Sequence, residues 1–418
     1  MKRLFVFDPS LVDSQGHHFT LTLNATRSAQ ACGFHVTWVC STQFDAQSLA
    51  VPTDIDVQPV LSWSMYDAYR GDGTATEPTG ESFANMLNAA MDSCAMTNDD
   101  RMLFHTADGV TYLGIELALR TRPAAATPIM HVCTPYDPVG VMPNRKDAKE
   151  ISRAIAQLSK AGKIDASVYL YGENKYLAAH LAGLWKVQVT ALDLPVAPQL
   201  EPSQAARHQF RREQLDITPD TFLCAYLGSA RLEKGYQKLP FVIQNVQNIV
   251  SSKPYAGPDA PKIHFAMQSS KQVVGYHPDI ITAISRIEAL EADNVTLFHN
   301  ALTTEFYDNV LFAADVMMMP YELSEYRVRG SGIVVEALNA GATIVATDGS
   351  YPGLVALETG GAVATKPKDF AKAIVDLAVN AKQTRKRARE ASQHYRAHSD
   401  AANYWPRCLA REEASSPA

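Results

Sequence analysis

The sequence contains no apolar run of about 20 residues, the length that a helix needs to cross a bilayer. Its N-terminus leads from "MKR" directly into the short apolar stretch "LFVFD", without the longer apolar segment of a cleavable signal peptide. Six cysteines are scattered along the chain without a C-x-x-C pair, so neither a disulfide framework nor a zinc site is indicated. We therefore expect a cytoplasmic protein with free thiols.

The sequence also lacks an excess of positive charge. Its 38 lysines and arginines are outnumbered by 44 aspartates and glutamates, which gives a net charge of -6. This balance argues against a general nucleic-acid-binding protein, since such proteins present basic surfaces. The apolar fraction of 46% is typical of globular proteins. A chain of 418 residues is long enough for two domains.

Short apolar runs alternate with longer helical patterns along most of the chain. The runs "LFVFD", "HVTWVC", "RMLFHT", "PIMHVCT" and "ASVYLYG" form one series, and a second series extends from "TFLCAYLG" to "ATIVATDG". This βαβ rhythm predicts parallel sheets with crossover helices. The proline-rich segment 192–204 between the two series is a poor helix and predicts a linker. We therefore predict two doubly wound α/β domains, whose ligands lie at the carboxyl ends of strands.

The stretch "YLGSARLEKGYQKLP" follows one of these predicted strands and is rich in positive charge. It places Arg231, Lys234 and Lys238 around two glycines. Guanidinium and ammonium groups at the end of a strand are well placed to bind a diphosphate, which arginine contacts bidentately and lysine as a point charge. An ordinary solvated surface loop is the alternative interpretation, and the loop alone does not decide between the two.

A second stretch, "RGSGIVVEALNAGATIVAT", predicts a helix behind a glycine-containing loop. Ser331 is a reasonable N-cap, the helix begins at about Ile333, and Gly341 ends it. Such a helix N-terminus offers free N–H groups and a positive dipole end to a phosphate. Glu336 lies among apolar residues of this helix, where an unpaired carboxylate would be costly. The hydroxyls of a ribose would satisfy it, and a solvent-facing side chain is the alternative.

Together these stretches resemble the retaining glycosyltransferases of the GT-B fold, in particular the large family four that includes bacterial mannosyl- and glucosyltransferases. The family carries G-R-x4-K-G after a strand, and Gly228, Lys234 and Gly235 keep that spacing. It then carries E-x7-E before a helix-ending glycine, and Glu336 and Gly341 match the second part of that motif. The resemblance covers most of the chain and is strongest in residues 220–360.

The sequence departs from the family pattern at three places. Ser229 stands where the family has its arginine, and Arg231, two residues later, would take over the phosphate contact. Gln268 stands where the family ends a strand with glycine. Val328 stands where the family has its first glutamate, so the contacts of that glutamate would be lost or would pass to Glu322, Glu325 or Arg329.

The resemblance implies a GT-B fold, in which two Rossmann-like doubly wound domains face a central cleft. It assigns residues 1–195 to an N-terminal acceptor domain, 196–385 to a C-terminal domain for the nucleotide-sugar donor, and 386–418 to a helical segment that crosses back to the first domain. It also implies a hexosyltransferase that moves a sugar from a nucleoside diphosphate sugar to an acceptor hydroxyl with retention of configuration. Synthesis of cell-surface glycans, glycolipids or glycoconjugates is the expected context.

The resemblance also implies site residues in both halves of the chain. In the first half, the glycine-containing loop of the family corresponds to Gly16 and His17, and its sugar-contacting histidine corresponds to His105. The implied catalytic residues are His105, Arg231 and Lys234. The implied donor-binding residues are Gly16, His17, Arg231, Lys234, Arg329, Gly330, Ser331, Gly332 and Glu336. Two weaker candidates follow the next predicted strand, His131 and Asp137.

No metal and no cofactor are expected beyond the donor, for which a UDP- or GDP-sugar is the first choice. The D-I-D motif at Asp54–Asp56 lacks the context of a metal-dependent glycosyltransferase and is interpreted as surface. The implied acceptor is a glycan, a lipid-linked or a protein-linked group. The basic run "KQTRKRAREASQHYR" predicts a solvated helix face. A peripheral contact of this run with anionic lipid at the inner face of the membrane is the open alternative.

Two other functions stay open. A nucleotide-sugar epimerase of the GT-B fold would bind the same donor, but the loss of glutamate at Val328 and the lack of an acidic pair count against it. A non-catalytic nucleotide-binding scaffold would tolerate the altered arginine and glutamate positions. Release of nucleoside diphosphate from a panel of nucleotide sugars separates these functions.

Overall fold

The apolar runs of the sequence form strands and the segments between them form helices in the computed structural model of the chain. The structure describes residues 2–13, 17–46, 51–62, 79–138, 145–196, 201–253, 255, 257, 260–269, 277–290 and 293–415. The strands are β1 (Lys2–Asp8), β2 (Phe34–Ser41), β3 (Asp56–Leu61), β4 (Arg101–Phe104), β5 (Ile129–Thr134), β6 (Val168–Gly172), β7 (Thr190–Ala191), β8 (Phe222–Tyr226), β9 (Ile263–Gln268), β10 (Val295–Phe298), β11 (Val316–Met319), β12 (Thr343–Thr347) and β13 (Ala362–Ala364).

The helices lie between these strands and after the last one. They are α1 (His17–Ala31), α2 (Gly80–Ser93), α3 (Gly109–Thr121), α4 (Arg145–Lys160), α5 (Lys175–Trp185), α6 (Gln204–Gln214), α7 (Leu239–Val250), α8 (Pro278–Glu288), α9 (Thr304–Ala313), α10 (Leu323–Tyr326), α11 (Gly332–Ala340), α12 (Tyr351–Glu358), α13 (Pro367–Val379), α14 (Ala381–Ser399) and α15 (Tyr404–Ser415). Short 3₁₀ turns lie at Ala124–Ala126, Tyr236–Lys238 and Ala401–Asn403.

The described residues fall into two compact units. Unit 1 is drawn from residues 1–197, 328–330 and 399–418, and unit 2 from residues 198–327 and 331–398. A short piece of the second half of the chain and the C-terminal segment therefore belong to the first unit.

Each unit is built on one parallel sheet. The strand order is β3-β2-β1-β4-β5-β6-β7 in unit 1 and β10-β9-β8-β11-β12-β13 in unit 2. In both sheets the direction of strand addition reverses beside the first strand of the unit, β1 or β8. Ligands of doubly wound sheets bind outside the carboxyl ends of strands at such a reversal. The predicted α/β fold with two parallel, doubly wound sheets is confirmed.

Helices cover both faces of the unit 1 sheet because its strands are apolar on both sides. In β1, Phe5 and Phe7 pack into one buried cluster, whereas Leu4 and Val6 pack into another. Successive side chains of a strand point to opposite faces, so these two clusters lie on opposite faces of the sheet. A run that is apolar without alternation is typical of such a doubly covered parallel strand.

The C-terminal helix α15 completes the core of unit 1. Trp405 is fully buried, and its ring centroid lies 5.3 Å from that of Phe34. Glu412 accepts a hydrogen bond from Arg101 Nε at 2.8 Å and lies 2.9 Å from His131 Nε2. His131, which the sequence analysis offered as a weaker site candidate, is fully buried in this network. Its contacts in unit 1 are those of a core residue.

Two further features concern membrane spans and cysteines. In the part of the chain that the structure describes, no helix combines the length and the apolar character needed to span a bilayer. All six cysteines are free thiols, as the scattered sequence positions predict.

Candidate functional site

The loop after β8 in unit 2 is shaped by two glycines. Gly228 and Gly235 have φ angles of +92° and +69°, a region that residues with a side chain rarely adopt. At Gly235 a Cβ atom would lie 1.9 Å from the carbonyl oxygen of Pro320, so only glycine fits there. The Gly235 N–H donates to the carbonyl of Leu232 at 2.8 Å and closes a tight turn. This turn holds the predicted phosphate-binding lysine, Lys234, in place.

Lys234, the predicted phosphate-binding lysine, lies beside the start of α11. A Cβ atom built on Gly228 would lie 3.1 Å from Lys234 Nζ and 2.9 Å from Ile333 Cδ1. The ammonium group, the glycine and the first turn of α11 are therefore neighbours within unit 2. The Gly228 N–H also donates to Gln268 Oε1 at 2.8 Å. Gln268, one of the departures from the family pattern, therefore stabilises this loop.

The helix α11 begins and ends close to the predicted residues. Ser331 is the N-cap residue, as predicted, and has extended backbone, although its side chain makes no capping hydrogen bond. The helix starts at Gly332 and ends at Gly341, which has a φ of +76°. A side chain that does not cap leaves first-turn N–H groups available to a bound anion.

Glu336 has a protein partner that the sequence analysis did not foresee. The hydroxyl of Tyr307 on α9 donates to Glu336 Oε2 at 2.5 Å. Oε1 faces the start of the helix, 3.9 Å from the position of a Cβ on Gly332. Burial raises the pKa of the Glu336 carboxyl, and the Tyr307 hydrogen bond and the charge of Lys234 offset only part of that rise. The carboxyl group therefore lies within the field of Lys234 and keeps one oxygen on the side of the N-terminus of α11.

The remaining predicted cations of unit 2 have other neighbours. Arg231 is exposed and lies 3.6 Å from Glu233. Lys238 pairs with Glu322 at 3.0 Å and donates to the Pro320 carbonyl, so Glu322 already has a cationic partner within unit 2. Glu325 is exposed.

Residues 328–330, which include two predicted donor-binding residues, pack within unit 1. The Val328 carbonyl accepts a hydrogen bond from Asn174 Nδ2 at 3.1 Å, and the Gly330 N–H donates to the Pro135 carbonyl at 3.1 Å. The Arg329 guanidinium lies 5.9 Å from the centroid of the Tyr136 ring. Arg329 and Gly330 therefore belong to unit 1, whereas the other two residues of the predicted loop, at 331 and 332, belong to unit 2.

Glu173 is a further unusual group beside residues 328–330. It is buried directly after β6, and a Cβ built on Gly330 would lie 2.1 Å from its Oε1. Burial raises the pKa of the Glu173 carboxyl to about 8, although the charge of Arg329 acts in the opposite direction. Glu173 was not predicted from the sequence, although it is a carboxylate that directly follows a buried strand.

A second polar cluster lies at the carboxyl edge of the unit 1 sheet, and it contains His105. His105 Nε2 lies 3.2 Å from Asp8 Oδ2 and 2.7 Å from Thr22 Oγ1, and His18 Nδ1 lies 2.8 Å from the same oxygen of Asp8. All four residues are buried. We call these residues the Asp8 cluster. Asp8 is the polar residue that ends the first buried strand, a signal that could have identified it from the sequence.

The other predicted residues of the first half are less informative. Gly16 lies outside the described residues, and of His17 only the backbone, at the start of α1, is described. Asp137 lies 2.7 Å from His180. Asp54 pairs with Arg27 and Asp56 with His35, so each aspartate of the D-I-D motif has its own cationic or imidazole neighbour at the surface.

The Asp8 cluster offers three ligand atoms to a metal ion, all within 4.8 Å of one another. A histidine that binds a metal through one ring nitrogen usually donates its other N–H to a fixed partner. In the described residues His105 Nδ1 has no hydrogen-bond partner, and its Nε2 is engaged with Thr22. The geometry therefore fits a hydrogen-bonded cluster better than a metal centre, and the absence of a metal stays a prediction.

Comparison with known proteins identifies the fold. No protein-family model matches the sequence, and no curated protein is significantly similar to it. Solved structures do match over the whole length. The sucrose-phosphate synthase of Thermosynechococcus elongatus is 14% identical with a TM-score of 0.64, and the match covers 100% of both chains.

Two further neighbours have the same architecture. A UDP-forming α,α-trehalose-phosphate synthase from Burkholderia xenovorans is 11% identical with a TM-score of 0.65, over 100% of both chains. The Anabaena protein HepE, in complex with UDP and glucose, is 12% identical with a TM-score of 0.66, over 99% of both chains. The chain therefore has the GT-B fold. At such low identity the likeness shows the fold alone.

Proposed function

We propose that the protein is a glycosyltransferase that transfers a sugar from a nucleoside diphosphate sugar to an acceptor hydroxyl with retention of configuration. The observation that carries this proposal is the convergence of Gly228, Lys234, Glu336 and the N-terminus of α11 in unit 2. It is supported by the GT-B fold and by a neighbour of that fold that holds UDP and glucose.

In this proposal the residues of unit 2 hold the nucleotide. Lys234 and the first-turn N–H groups of α11 balance the negative charge that develops on the leaving diphosphate. Preorganised charges and dipoles of this kind usually make the largest contribution to catalysis. Glu336 accepts a ribose hydroxyl through Oε1, because Tyr307 already occupies Oε2. Arg231, which lies 3.6 Å from Glu233, is proposed to leave that glutamate and contact the diphosphate.

His105 is the residue of unit 1 that we propose to contact the donor sugar. We further propose that no metal or other cofactor takes part, since a lysine and a helix dipole neutralise phosphate charge without one, and that the donor is a UDP- or GDP-sugar. The remaining predicted donor contacts, at Gly16, His17, Arg329 and Gly330, belong to the same proposal.

The acceptor is proposed to be a glycan, a lipid-linked or a protein-linked group of a cell-surface pathway. The exposed residues Lys382, Lys386, Arg387 and Arg389 form a basic surface on α14. Basic helix faces are attracted to anionic lipid, which would bring the enzyme to a lipid-linked acceptor at the inner face of the membrane. Binding to vesicles with and without phosphatidylserine tests this part separately.

Turnover with a panel of UDP-, GDP- and ADP-sugars tests the proposal. Each donor is incubated with and without a mixed pool of acceptors, and release of nucleoside diphosphate is followed. We expect acceptor-dependent release that is lost in Lys234→Ala, and a product whose anomeric configuration, read by NMR, equals that of the donor. Acceptor-independent release with a new free sugar would indicate an epimerase. Nucleotide binding without any release would indicate a scaffold, and inversion would refute the retaining mechanism.

A further inference from the structure

The strand register brings Asp8 and His105 together in unit 1. β1 and β4 are adjacent and parallel, and Val6 pairs with Leu103. Two residues further along each strand direction lie Asp8 and His105, at the point where the strand order of the sheet reverses. This is the position at which doubly wound sheets bind their ligands.

The hydrogen bonds of Asp8 determine where the proton of His105 lies. Asp8 Oδ2 is 2.8 Å from His18 Nδ1 and 3.2 Å from His105 Nε2, and Oδ1 accepts from the Ser10 N–H at 2.9 Å. Burial alone would raise the pKa of the Asp8 carboxyl, but the charge of His18 and the hydrogen bonds of the two histidines hold it well below its ordinary value. An ionised carboxylate only accepts hydrogen bonds, so the facing nitrogens carry protons, and the Thr22 hydroxyl, 2.7 Å from His105 Nε2, accepts from that same N–H.

This assignment leaves the other ring nitrogen of His105 as an acceptor. In a neutral imidazole with a proton on Nε2, Nδ1 carries a lone pair. His105 is buried, and its Nδ1 has no hydrogen-bond partner among the described residues. A buried acceptor without a partner is unfavourable, and such a group is usually completed by a ligand or solvent donor.

We propose that Asp8 is a positioning residue that holds His105 with its proton on Nε2, so that Nδ1 accepts a hydrogen bond from a hydroxyl of the sugar substrate. The identity of the ligand as a sugar rests on the proposed function, whereas the role of Asp8 rests on the geometry of unit 1. An acceptor at Nδ1 selects a hydroxyl donor and rejects an analogue in which that hydroxyl is replaced by hydrogen.

The first experiment reads the His105 tautomer by NMR of the full chain with nitrogen-15 histidine, assigned with His105→Gln. We expect the wild type to carry the proton on Nε2. In Asp8→Asn the Ser10 N–H keeps the amide oxygen at the Oδ1 position, so the NH₂ group faces both imidazoles. We therefore expect the proton of His105 to move to Nδ1. Asp100→Asn, at a buried carboxylate that pairs with Arg3 elsewhere in unit 1, is the matched control and should leave the tautomer unchanged.

The second experiment separates positioning from nucleotide binding. In Asp8→Asn, kcat should fall roughly 10- to 100-fold, the range when a buried hydrogen bond is lost and its partner is left unpaired. The affinity for the nucleoside diphosphate should not change, because Lys234, Glu336 and the first turn of α11, which we propose to hold the nucleotide, lie in unit 2. Once the panel has identified the donor, monodeoxy analogues of its sugar are compared with the natural donor. The analogue that the wild type transfers most slowly should be transferred by Asp8→Asn at about the same rate as the natural donor.

Three results would overturn the proposal. The first is a proton on Nδ1 in the wild type, and the second is an unchanged tautomer in a folded Asp8→Asn. The third is one equivalent of zinc bound by the wild type and lost in that variant, which would make the cluster a metal site. If Asp8→Asn does not fold, Thr22→Val decides. If His105 keeps its proton on Nε2 in Thr22→Val, Asp8 holds the tautomer. If His105 loses that proton, Thr22 holds the tautomer and the proposal for Asp8 is wrong. A panel without turnover would refute glycosyl transfer and leave the tautomer result standing.

Discussion

The contact between Tyr307 and Glu336 makes a quantitative prediction about nucleotide recognition. Because the tyrosine hydroxyl occupies Oε2, the carboxylate offers only Oε1 to a ribose. One hydrogen bond between a neutral hydroxyl and a carboxylate contributes about 1.5–3 kcal/mol. The wild type should therefore prefer a ribonucleoside diphosphate over the corresponding 2′-deoxy or 3′-deoxy form by roughly 10- to 100-fold, since about 1.4 kcal/mol corresponds to a factor of ten.

Two substitutions of Glu336 should grade this preference. Glu336→Ala removes the acceptor, so the ribo and deoxy forms should bind almost equally. In Glu336→Gln the Tyr307 hydroxyl still needs an acceptor and should orient the amide oxygen toward itself. The amide NH₂ then faces the ribose and can only donate to a hydroxyl oxygen. The preference of Glu336→Gln should therefore lie between those of the wild type and Glu336→Ala.

Removing the tyrosine hydroxyl should change the pH dependence of binding. Burial already raises the pKa of Glu336, and the Tyr307 hydrogen bond lowers it in part. In Tyr307→Phe the pKa should rise further, so the ionised carboxylate is lost at a higher pH as the solution is acidified. Nucleotide affinity should then weaken on acidification before that of the wild type does. Tyr112→Phe, which removes a buried hydroxyl bonded to Thr134 in unit 1, is the matched control.

Isothermal titration calorimetry with UDP or GDP, chosen by the wild-type response, and with both deoxy forms measures these affinities. Equal wild-type affinity for the ribo and deoxy forms would refute the assignment of Glu336 to the ribose. A preference that survives unchanged in Glu336→Ala would do the same. In either case the Tyr307–Glu336 pair would be a structural feature of unit 2.

Four further predictions concern the phosphate, the metal and stability. Lys234→Ala should weaken nucleoside diphosphate binding by about 1.5–3 kcal/mol, and unchanged affinity in calorimetry would contradict its role. Turnover should survive EDTA, whereas loss that Mg²⁺ or Mn²⁺ restores would reveal a metal requirement. Asp315 lies buried between Arg211 and Arg385, so Asp315→Ala should lower the free energy of unfolding by about 3–5 kcal/mol, and denaturant titration would show a small effect if this pairing were unimportant. Burial raises the pKa of Glu173 in the folded protein to about 8. At any pH between the ordinary glutamate pKa and about 8, the folded protein therefore keeps a proton on Glu173 that the unfolded chain has released. The stability of the wild type should therefore fall as the pH rises through this window, and the melting temperature of Glu173→Gln should rise relative to that of the wild type. If the two melting temperatures follow parallel pH profiles, the burial effect is contradicted.

Local features of the site could be predicted from the sequence because they depend on neighbouring residues. The tight turn that holds Lys234 needs Gly235, whose φ is positive and whose Cβ would meet the Pro320 carbonyl. Gly341 ends α11 in the left-handed conformation, as expected of a glycine after an apolar helix. The Ser331 cap was a weaker inference, since its side chain does not make the capping bond.

Contacts between distant residues could not be predicted in the same way. Tyr307 and Glu336 are 29 residues apart and meet because α9 packs beside α11. Nothing in the spacing of the two residues indicates this contact. The same holds for residues 328–330, which leave the surrounding chain of unit 2 to bond with Asn174 and Pro135 of unit 1.

The alternation of strands and helices and the parallel, doubly wound character of both sheets can be read from the sequence. This is because apolar runs, helical periodicity and crossover handedness act over short stretches of chain. Which strands are neighbours, in contrast, depends on tertiary packing. The pairing of β1 with β4, across 93 residues from Asp8 to Arg101, places Asp8 beside His105. Strand order depends on how all the apolar faces of a unit are buried at once, and no local stretch of sequence carries that information.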